Sequence, residues 1–187
     1  MYVDFSSINQ TDRYKIVSNI VVPRVIAWIV TISDKNILNV APFSYFTPLS
    51  SEPPTLIVSI GHKKDGSQKD TLRNILTTKK ATICFINEKL LKSMHDSSFP
   101  FENSEIDELN LITETILNNY PPIIKGVKNS LFTDFYQVIE LENSKTIPII
   151  LKIKGSLIND DVNNKIIGRV GNGYSIIDKD RIIKFEN

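Results

Sequence analysis

The sequence has a single cysteine, Cys84, and only two histidines among its 187 residues. One cysteine excludes an intramolecular disulfide framework, and one cysteine with two histidines supplies too few ligands for a His/Cys metal site. We therefore predict no metal. Cys84 lies inside the apolar run 81–86, which favours a buried small hydrophobic residue over a redox thiol.

The chain also lacks charge of one dominant sign and a long hydrophobic run. Its 22 basic and 21 acidic side chains leave a formal charge of +1, so no overall field attracts nucleic acid or an anionic membrane. The apolar stretch 20–32 is interrupted by Pro23 and Arg24 and is shorter than the ~20 residues of a membrane-spanning helix. The start MYVDFSS does not have the basic-then-apolar order of a signal peptide. We expect a cytoplasmic location, and any anion binding must be local.

The composition is that of an ordinary globular protein. Hydrophobic residues make up 41% and charged residues 23%, which predicts a folded chain and not a disordered one. The length is suited to one compact domain, and we assign residues 1–187 to it.

Strand-forming segments dominate the pattern along the chain. The segments 25–31 and 38–46 flank the turn-forming SDKN and predict a hairpin, and Pro53-Pro54 sets the start of a third strand at 55–60. These three strands are expected to precede the first helix, which begins near Asp70, where Ser67 or Asp70 is the expected N-cap.

The remainder of the chain adds more strands than helices. We predict a helix at 88–95, loop and short helix at 97–122, and strands at 81–87, 135–141, 147–158 and 165–170. Helices do not alternate with strands as a parallel sheet requires, so the pattern predicts a mainly β fold, an antiparallel barrel with a few helical insertions.

The stretch SIGHKKDGSQKDTLRNI, residues 59–75, joins a predicted strand to the predicted helix and carries four lysines or arginines. Free amides at a helix start attract an anion; Lys69 adds a full charge, and Ser59 and Thr71 add hydroxyl donors. This set suits a phosphate monoester. An ordinary solvated, lysine-rich loop ahead of a capped helix fits the same residues, and composition alone leaves both interpretations open.

Two better-known nucleotide motifs do not fit. Gly61 and Gly66 begin like a triphosphate-binding loop, but Ser67-Gln68 stands where that motif requires lysine and a metal-binding hydroxyl. The GNG of residues 171–173 is followed by only 14 residues, too few for a dinucleotide-binding unit, so it predicts a turn.

Four segments together resemble one known family: VVPRVIAWIVTIS at 21–33, NVAPFSYFTPLSSEPP at 39–54, the 59–75 stretch, and GRVGNGY at 168–174. They are similar to the flavin reductase-like, flavoredoxin-type FMN-binding family over about residues 10 to 175. The resemblance implies a split β-barrel, a homodimer, and FMN bound near the subunit interface.

The resemblance also implies a set of cofactor-binding residues. The FMN phosphate would lie against Lys69, Asp70 and Thr71, with help from Ser59 and Gly61. The isoalloxazine ring would lie along the strand that holds Ala41, Phe43, Ser44 and Tyr45, bound by backbone N–H groups; Pro42 has none. Arg24 would lie near the flavin or its phosphate, and Arg169 and Tyr174 would reach the flavin or the partner subunit.

Other interpretations accompany several of these residues. Arg24 could instead be a solvent-facing charge at the end of a strand. Trp28 is expected to be a core residue more often than a ring-stacking partner. His62 is expected to be solvated more often than to donate to a phosphate. His95 lies far along the chain from the matched segments.

The family resemblance implies an NAD(P)H-dependent flavin oxidoreductase that needs no catalytic side chain, because the cofactor carries the chemistry. Oxygen, a redox protein or another acceptor would take the electrons. A flavoredoxin-like electron carrier and a non-catalytic flavin-binding module remain as alternatives. The sequence does not distinguish NADH from NADPH, or resident FMN from diffusing FMN.

Overall fold

The computed structural model describes residues 1–159 and 165–178. These residues form four α-helices and one 3-10 turn: α1 Gln10–Ile20, α2 Asp70–Thr78, α3 Leu91–Asp96, α4 Glu105–Glu108, and the turn Glu88–Leu90. None of these helices has the length and apolarity that crossing a bilayer requires.

Twelve strands accompany the helices in the described residues, and all of their pairings are antiparallel. They are β1 Arg24–Val25, β2 Ala27–Ile32, β3 Leu38–Phe43, β4 Phe46–Ser51, β5 Pro54–Gly61, β6 Lys80–Phe85, β7 Thr113–Glu114, β8 Ile123–Ile124, β9 Asn129–Val138, β10 Thr146–Ile158, β11 Lys165–Val170 and β12 Gly173–Asp178.

The strands form one large sheet and two small ones. The large sheet has the order β3-β2-β6-β9-β10-β5-β4, so β3 and β4 are its edges. A second sheet has the order β1-β11-β12, and β7 pairs with β8. The mainly antiparallel architecture predicted from the sequence is confirmed.

The central strands of the large sheet carry apolar side chains on both faces, and each face is covered by a cluster of buried residues. In β2, Ala27 and Ile29 pack with Leu72 and Ile75 of α2 in an inner cluster. Trp28 and its alternate neighbours face a second cluster together with residues of α3, α4 and β8. Helix α2 therefore docks on the inner core, and this docking fixes where its N-terminus lies.

Trp28 and Cys84 are both fully buried, as predicted. The Trp28 indole donates to Ser97 Oγ at 2.9 Å, so its polar edge is satisfied inside the core. Burial raises the pKa of the Cys84 thiol to about 11, which keeps it protonated at neutral pH and matches the role of a small hydrophobic side chain.

The order of elements before α2 corrects the sequence prediction. The hairpin is present as β2 and β3, but helix α1 and strand β1 precede it, and β4 follows it. The prediction that three strands come before the first helix is therefore wrong. Strand β4 contains Pro48, which an edge strand tolerates because one of its two edges has no ladder partner.

Replacing Leu72 with alanine tests the docking of α2. Leu72 is fully buried in the inner cluster, so Leu72→Ala should lower the free energy of unfolding by about 2–5 kcal/mol in urea denaturation. Leu49→Ala on β4 is the control, because Leu49 is 51% exposed and its loss should change stability by about 0.5 kcal/mol or less. Equal costs for the two variants would contradict the assigned core.

Candidate functional site

The loop between β5 and α2 closes as a tight turn. Lys63 N donates to Ser67 O at 2.8 Å, and Gly66 N donates to Lys63 O at 3.0 Å. Gly66 has a φ of +85°, in the left-handed region that glycine adopts without strain. The turn brings the chain from the end of β5 directly to the start of α2.

Helix α2 begins without a side-chain cap. Lys69 is its N-cap residue and makes no capping bond. Both predicted caps are wrong: Ser67 Oγ donates to Asp65, and Asp70 lies inside the first turn, bound to Lys63 at 2.8 Å and to Arg73. The first amides of α2 therefore have no acceptor among the described residues.

The Lys69 ammonium lies beside this helix start without a counter-charge. Its Nζ is 5.6 Å from the centroid of the Phe43 ring, and it forms no ion pair with a carboxylate in the part of the chain that the structure describes. Burial lowers the pKa of Lys69, because no anion offsets the loss of water around the charge. A bound anion would supply that offset.

A buried network of amides and hydroxyls fixes the helix start against the β2–β3 hairpin. Asn39 Nδ2 donates to Thr71 Oγ1 at 3.0 Å, and Asn74 Nδ2 donates to Thr31 Oγ1 at 3.1 Å. All four side chains are buried. Since Thr71 Oγ1 accepts from Asn39, its own hydroxyl proton remains for another acceptor.

Ser59 and Gly61 lie on the face of β5 opposite the inner core. Their neighbours Val58 and Ile60 are buried in that core, and strand side chains alternate between faces. Ser59 N donates to Tyr45 O at 2.9 Å, which ties this end of β5 to the segment after β3. A Cβ on Gly61 would meet its nearest atom at 3.9 Å, so the strand itself does not require glycine there.

The free edge of β3 offers fewer backbone donors than the family resemblance implies. Val40 N donates outward to Glu105 Oε2 at 3.3 Å, so Val40 is in a non-hydrogen-bonded position opposite Val30. By alternation, the amides of Ala41 and Phe43 face β2. Ser44 and Tyr45, just beyond the strand, are the nearest residues whose amides have no acceptor among the described residues.

Arg24 is buried, at 6% exposure, so it is not the solvent-facing strand-end charge of the alternative interpretation. Its Nη1 donates to the carbonyls of Ser18 and Val21 at the end of α1, and its Nε donates to Ser44 Oγ at 3.4 Å. Its Nη2 is buried and has no hydrogen-bond partner. An unsatisfied buried guanidinium nitrogen is costly and points to a missing acceptor.

Arg169 lies directly opposite Arg24 in the β1–β11 pair. The strands approach closely at the next position, where a Cβ on Gly168 would lie 2.6 Å from Pro23 Cβ. Arg169 Nε donates to Gly171 O at 3.1 Å, and the guanidinium carbon is 4.7 Å from the centroid of the Tyr174 ring. The GNG segment forms the turn between β11 and β12, as predicted.

His95 contacts the GRVGNGY segment in space although it lies far from it in sequence. Its Nδ1 is 2.8 Å from the Tyr174 hydroxyl, and its ring packs edge-on against Tyr174 and Phe99. No motif or spacing in the sequence relates these residues to each other. His62 Nδ1 instead lies 3.1 Å from Lys145 O, on the outside of the loop.

A cavity of about 180 Å³ opens between the end of β3, helix α3 and the β11–β12 turn. It is lined by Tyr14, Ile26, Pro42, Phe43, Ser44, Met94, His95, Ser98, Arg169 and Tyr174. Most of the residues predicted from the resemblance fall into two groups. Lys69, Asp70 and Thr71 lie at the α2 start, whereas Phe43, Ser44, Arg169 and Tyr174 line the cavity. Ser59 and Gly61 belong to neither group, because they lie on the face of β5 opposite the inner core on which α2 docks. The Lys69–Phe43 contact connects the two groups.

Glu105 is a site residue that the sequence analysis missed. Burial raises the pKa of its carboxyl, and the nearby Asp70 charge raises it further. Its acceptor bond from Val40 N and the charge of Lys63 act in the opposite direction. A raised pKa favours the neutral, protonated form of Glu105, and a neutral carboxyl does not repel an anion bound at the neighbouring start of α2.

The chain is similar to known proteins over most of its length. The family model described as "Flavin reductase like domain" matches residues 19–172. An uncharacterized protein of Aquifex aeolicus is 32% identical over 173 residues, which are 87% of this chain and 88% of that protein.

Solved structures share the fold at low sequence identity. Nitrilotriacetate monooxygenase component B from Bacillus cereus has a TM-score of 0.88 at 20% identity, covering 100% of this chain and 99% of that one. The FMN-binding protein from Thermus thermophilus, with bound p-hydroxybenzaldehyde, has a TM-score of 0.76 at 14% identity, covering 98% and 99%. The fold is a split β-barrel, as the resemblance implied.

The raised pKa of Glu105 predicts how stability depends on pH. A carboxyl whose pKa is higher in the folded than in the unfolded state loses stability as pH rises from about 4.5 through the folded value. Glu105→Gln removes this loss and keeps an acceptor for Val40 N. In urea denaturation the variant should match the wild type at pH 4 and be more stable at pH 8. Exposed Glu102→Gln is the control, and a Glu105→Gln effect that is the same at both pH values would contradict the prediction.

Proposed function

The chain belongs to the flavin reductase-like family, and we propose that it binds FMN and catalyses NAD(P)H-dependent flavin reduction. The observation that best supports FMN as the ligand is that the N-terminus of α2 has no side-chain cap. The start of α2 combines uncapped amides, the Lys69 ammonium, which has no ion-pair partner among the described residues, and the Thr71 hydroxyl, and these groups together suit one phosphate monoester.

The charges around the α2 start favour a dianion. Four basic residues, Lys63, Lys64, Lys69 and Arg73, and two acidic residues, Asp65 and Asp70, lie in residues 63–73. The Asp70 carboxylate is bound by Lys63 and Arg73. The surplus of positive charge adds to the partial charge of the helix N-terminus, about half an elementary charge. The Asp70 carboxylate then positions Lys63 and Arg73, and its backbone amide is one of the free amides that would donate to the phosphate.

The ring of the flavin would lie against the end of β3. Ser44 and Tyr45 present backbone N–H groups there, and Pro42 to Ser44 form one wall of the cavity. When bound, the flavin would accept a hydride at N5 from a nicotinamide and pass the electrons to an acceptor. The residues of this chain would hold the ring, orient it and exclude water, and no side-chain nucleophile is required.

We further propose that a second copy of the chain completes the site. The cavity of about 180 Å³ is below the roughly 300–1,000 Å³ of ordinary cofactor pockets. Exposed apolar side chains lie on α1, just after α1 and just after β3: Tyr14, Ile20, Val21, Val22 and Tyr45. Tyr14 lines the cavity and stacks on Tyr45. An apolar surface of this kind is typical of an interface between subunits.

Replacing Lys69 with alanine tests the phosphate position. The change removes one charged hydrogen bond, worth about 1.5–3 kcal/mol, so FMN affinity should fall by about ten- to a hundred-fold in a flavin fluorescence titration. Lys64→Ala is the control, because Lys64 is exposed in the same loop and forms no ion pair with a described residue. If both variants bind FMN like the wild type, the phosphate lies elsewhere.

Anaerobic mixing with NADH or NADPH tests the reaction. The FMN-loaded protein should lose its visible flavin absorbance with at least one nucleotide, faster than free FMN does under the same conditions. Bleaching by a reduced redox protein but not by either nucleotide would favour an electron carrier. Bound flavin that no donor bleaches would favour a non-catalytic binding module, and either result would contradict the proposed reaction.

A further inference from the structure

Asn39 is a buried amide that connects strand β3 to the start of helix α2. It is 8% exposed, and its Nδ2 donates to Thr71 Oγ1 at 3.0 Å and to Thr31 Oγ1 at 3.4 Å. Both protons of the amide nitrogen are therefore engaged. Asparagine is mostly an exposed residue, so its burial at this position calls for a reason beyond core packing.

Two side chains on one face of β3 contact the start of α2. Strand side chains alternate between faces, so Asn39 and Phe43 lie on the same face of β3. Asn39 contacts Thr71, and the Phe43 ring centroid is 5.6 Å from Lys69 Nζ. Ser44, which lines the cavity proposed for the flavin ring, follows directly. Strand β3 therefore sets how the phosphate corner lies relative to the wall that would hold the ring.

The Thr71 hydroxyl has a proton without an acceptor. Thr71 is 1% exposed and accepts from Asn39, and its hydroxyl donates to none of the residues that the structure describes. A buried hydroxyl proton that lacks an acceptor is costly, so its presence indicates a ligand that accepts it. Thr71 is the second residue of α2, whose first amides also lack acceptors among the described residues. One anion at the helix start would satisfy both kinds of donor.

We propose that Asn39 is a positioning residue for the cofactor phosphate. Its amide donates to Thr71, which leaves the Thr71 hydroxyl as a donor toward the phosphate and makes the site prefer a phosphorylated flavin over riboflavin. This step rests on the proposed function, because it takes FMN as the ligand. Asn39 itself does not touch the flavin. The backbone amides, the Lys69 ammonium and the Thr71 hydroxyl are then all donors, which suits a fully ionised phosphate monoester.

Titrations with FMN and riboflavin test the proposal, because riboflavin lacks only the phosphate. In flavin fluorescence titrations, Asn39→Ala should lower the ratio of FMN affinity to riboflavin affinity by about ten-fold, since one oriented hydrogen bond to the phosphate is lost. The affinity for riboflavin should stay unchanged. An unchanged ratio in Asn39→Ala would overturn the proposal.

Thr133→Val is the control for a purely structural role. Thr133 is fully buried, and its Oγ1 donates to Ala81 O at 3.0 Å between β9 and β6. The variant therefore also loses a buried hydrogen bond and should lower the urea midpoint, but it should leave the ratio of the two affinities unchanged. If both variants lower the ratio equally, the effect of Asn39 is only a loss of stability and the proposal is wrong.

Thr71→Val shows whether Asn39 acts through the Thr71 hydroxyl. The variant removes the hydroxyl and should lower the ratio about as much as Asn39→Ala does. The double variant should lower the ratio no further, because residues that act through one hydrogen bond are not additive. Additive losses, or a normal ratio in Thr71→Val, would contradict the role of Asn39. A wild type that binds FMN no more tightly than riboflavin would contradict the proposed function as well, whereas a preference for FMN that survives in every variant overturns this inference alone.

Discussion

The hydrogen bonds among Thr31, Asn39, Thr71 and Asn74 fix helix α2 against the β2–β3 hairpin, and the candidate site depends on this junction. All four side chains are buried, so breaking one bond would leave a polar group unsatisfied in the core. The junction sets the direction of the α2 axis and the distance from its first turn to the end of β3. The open helix start and the strand edge therefore act as parts of one rigid unit.

A nearly neutral chain concentrates positive charge at two places along this unit. Lys63, Lys69 and Arg73 surround the α2 start, and Arg24 and Arg169 face each other beside the cavity. Because the net charge is only +1, this arrangement is local and does not attract polyanions in general. A local cluster of this kind at the α2 start suits a small anion, such as the phosphate of the proposed cofactor.

Much of the fold was predictable from local patterns, and the parts that were not depend on tertiary contacts. The β2–β3 hairpin, the burial of Trp28 and the turn at GNG follow from composition and turn chemistry. Helix α1 was missed because Ser18 is its only buried residue, so no apolar face marks it. Sequence spacing could not predict the bond of Val40 to Glu105 or the contact of His95 with Tyr174, because these residues are far apart along the chain. It also could not predict that α2 has no side-chain cap, since Ser67 is bound to Asp65 instead.

Pro42 has a consequence for how the open edge of β3 behaves toward other chains. An unprotected edge strand recruits a foreign strand through donors at every second residue, and this recruitment is the first step of β-aggregation. Here the Val40 amide is covered by Glu105 and the next outward position is a proline, which has no amide proton. The ladder that an intruding strand would need is therefore interrupted at two successive rungs, and the edge stays accessible to a small molecule while it resists polymerisation.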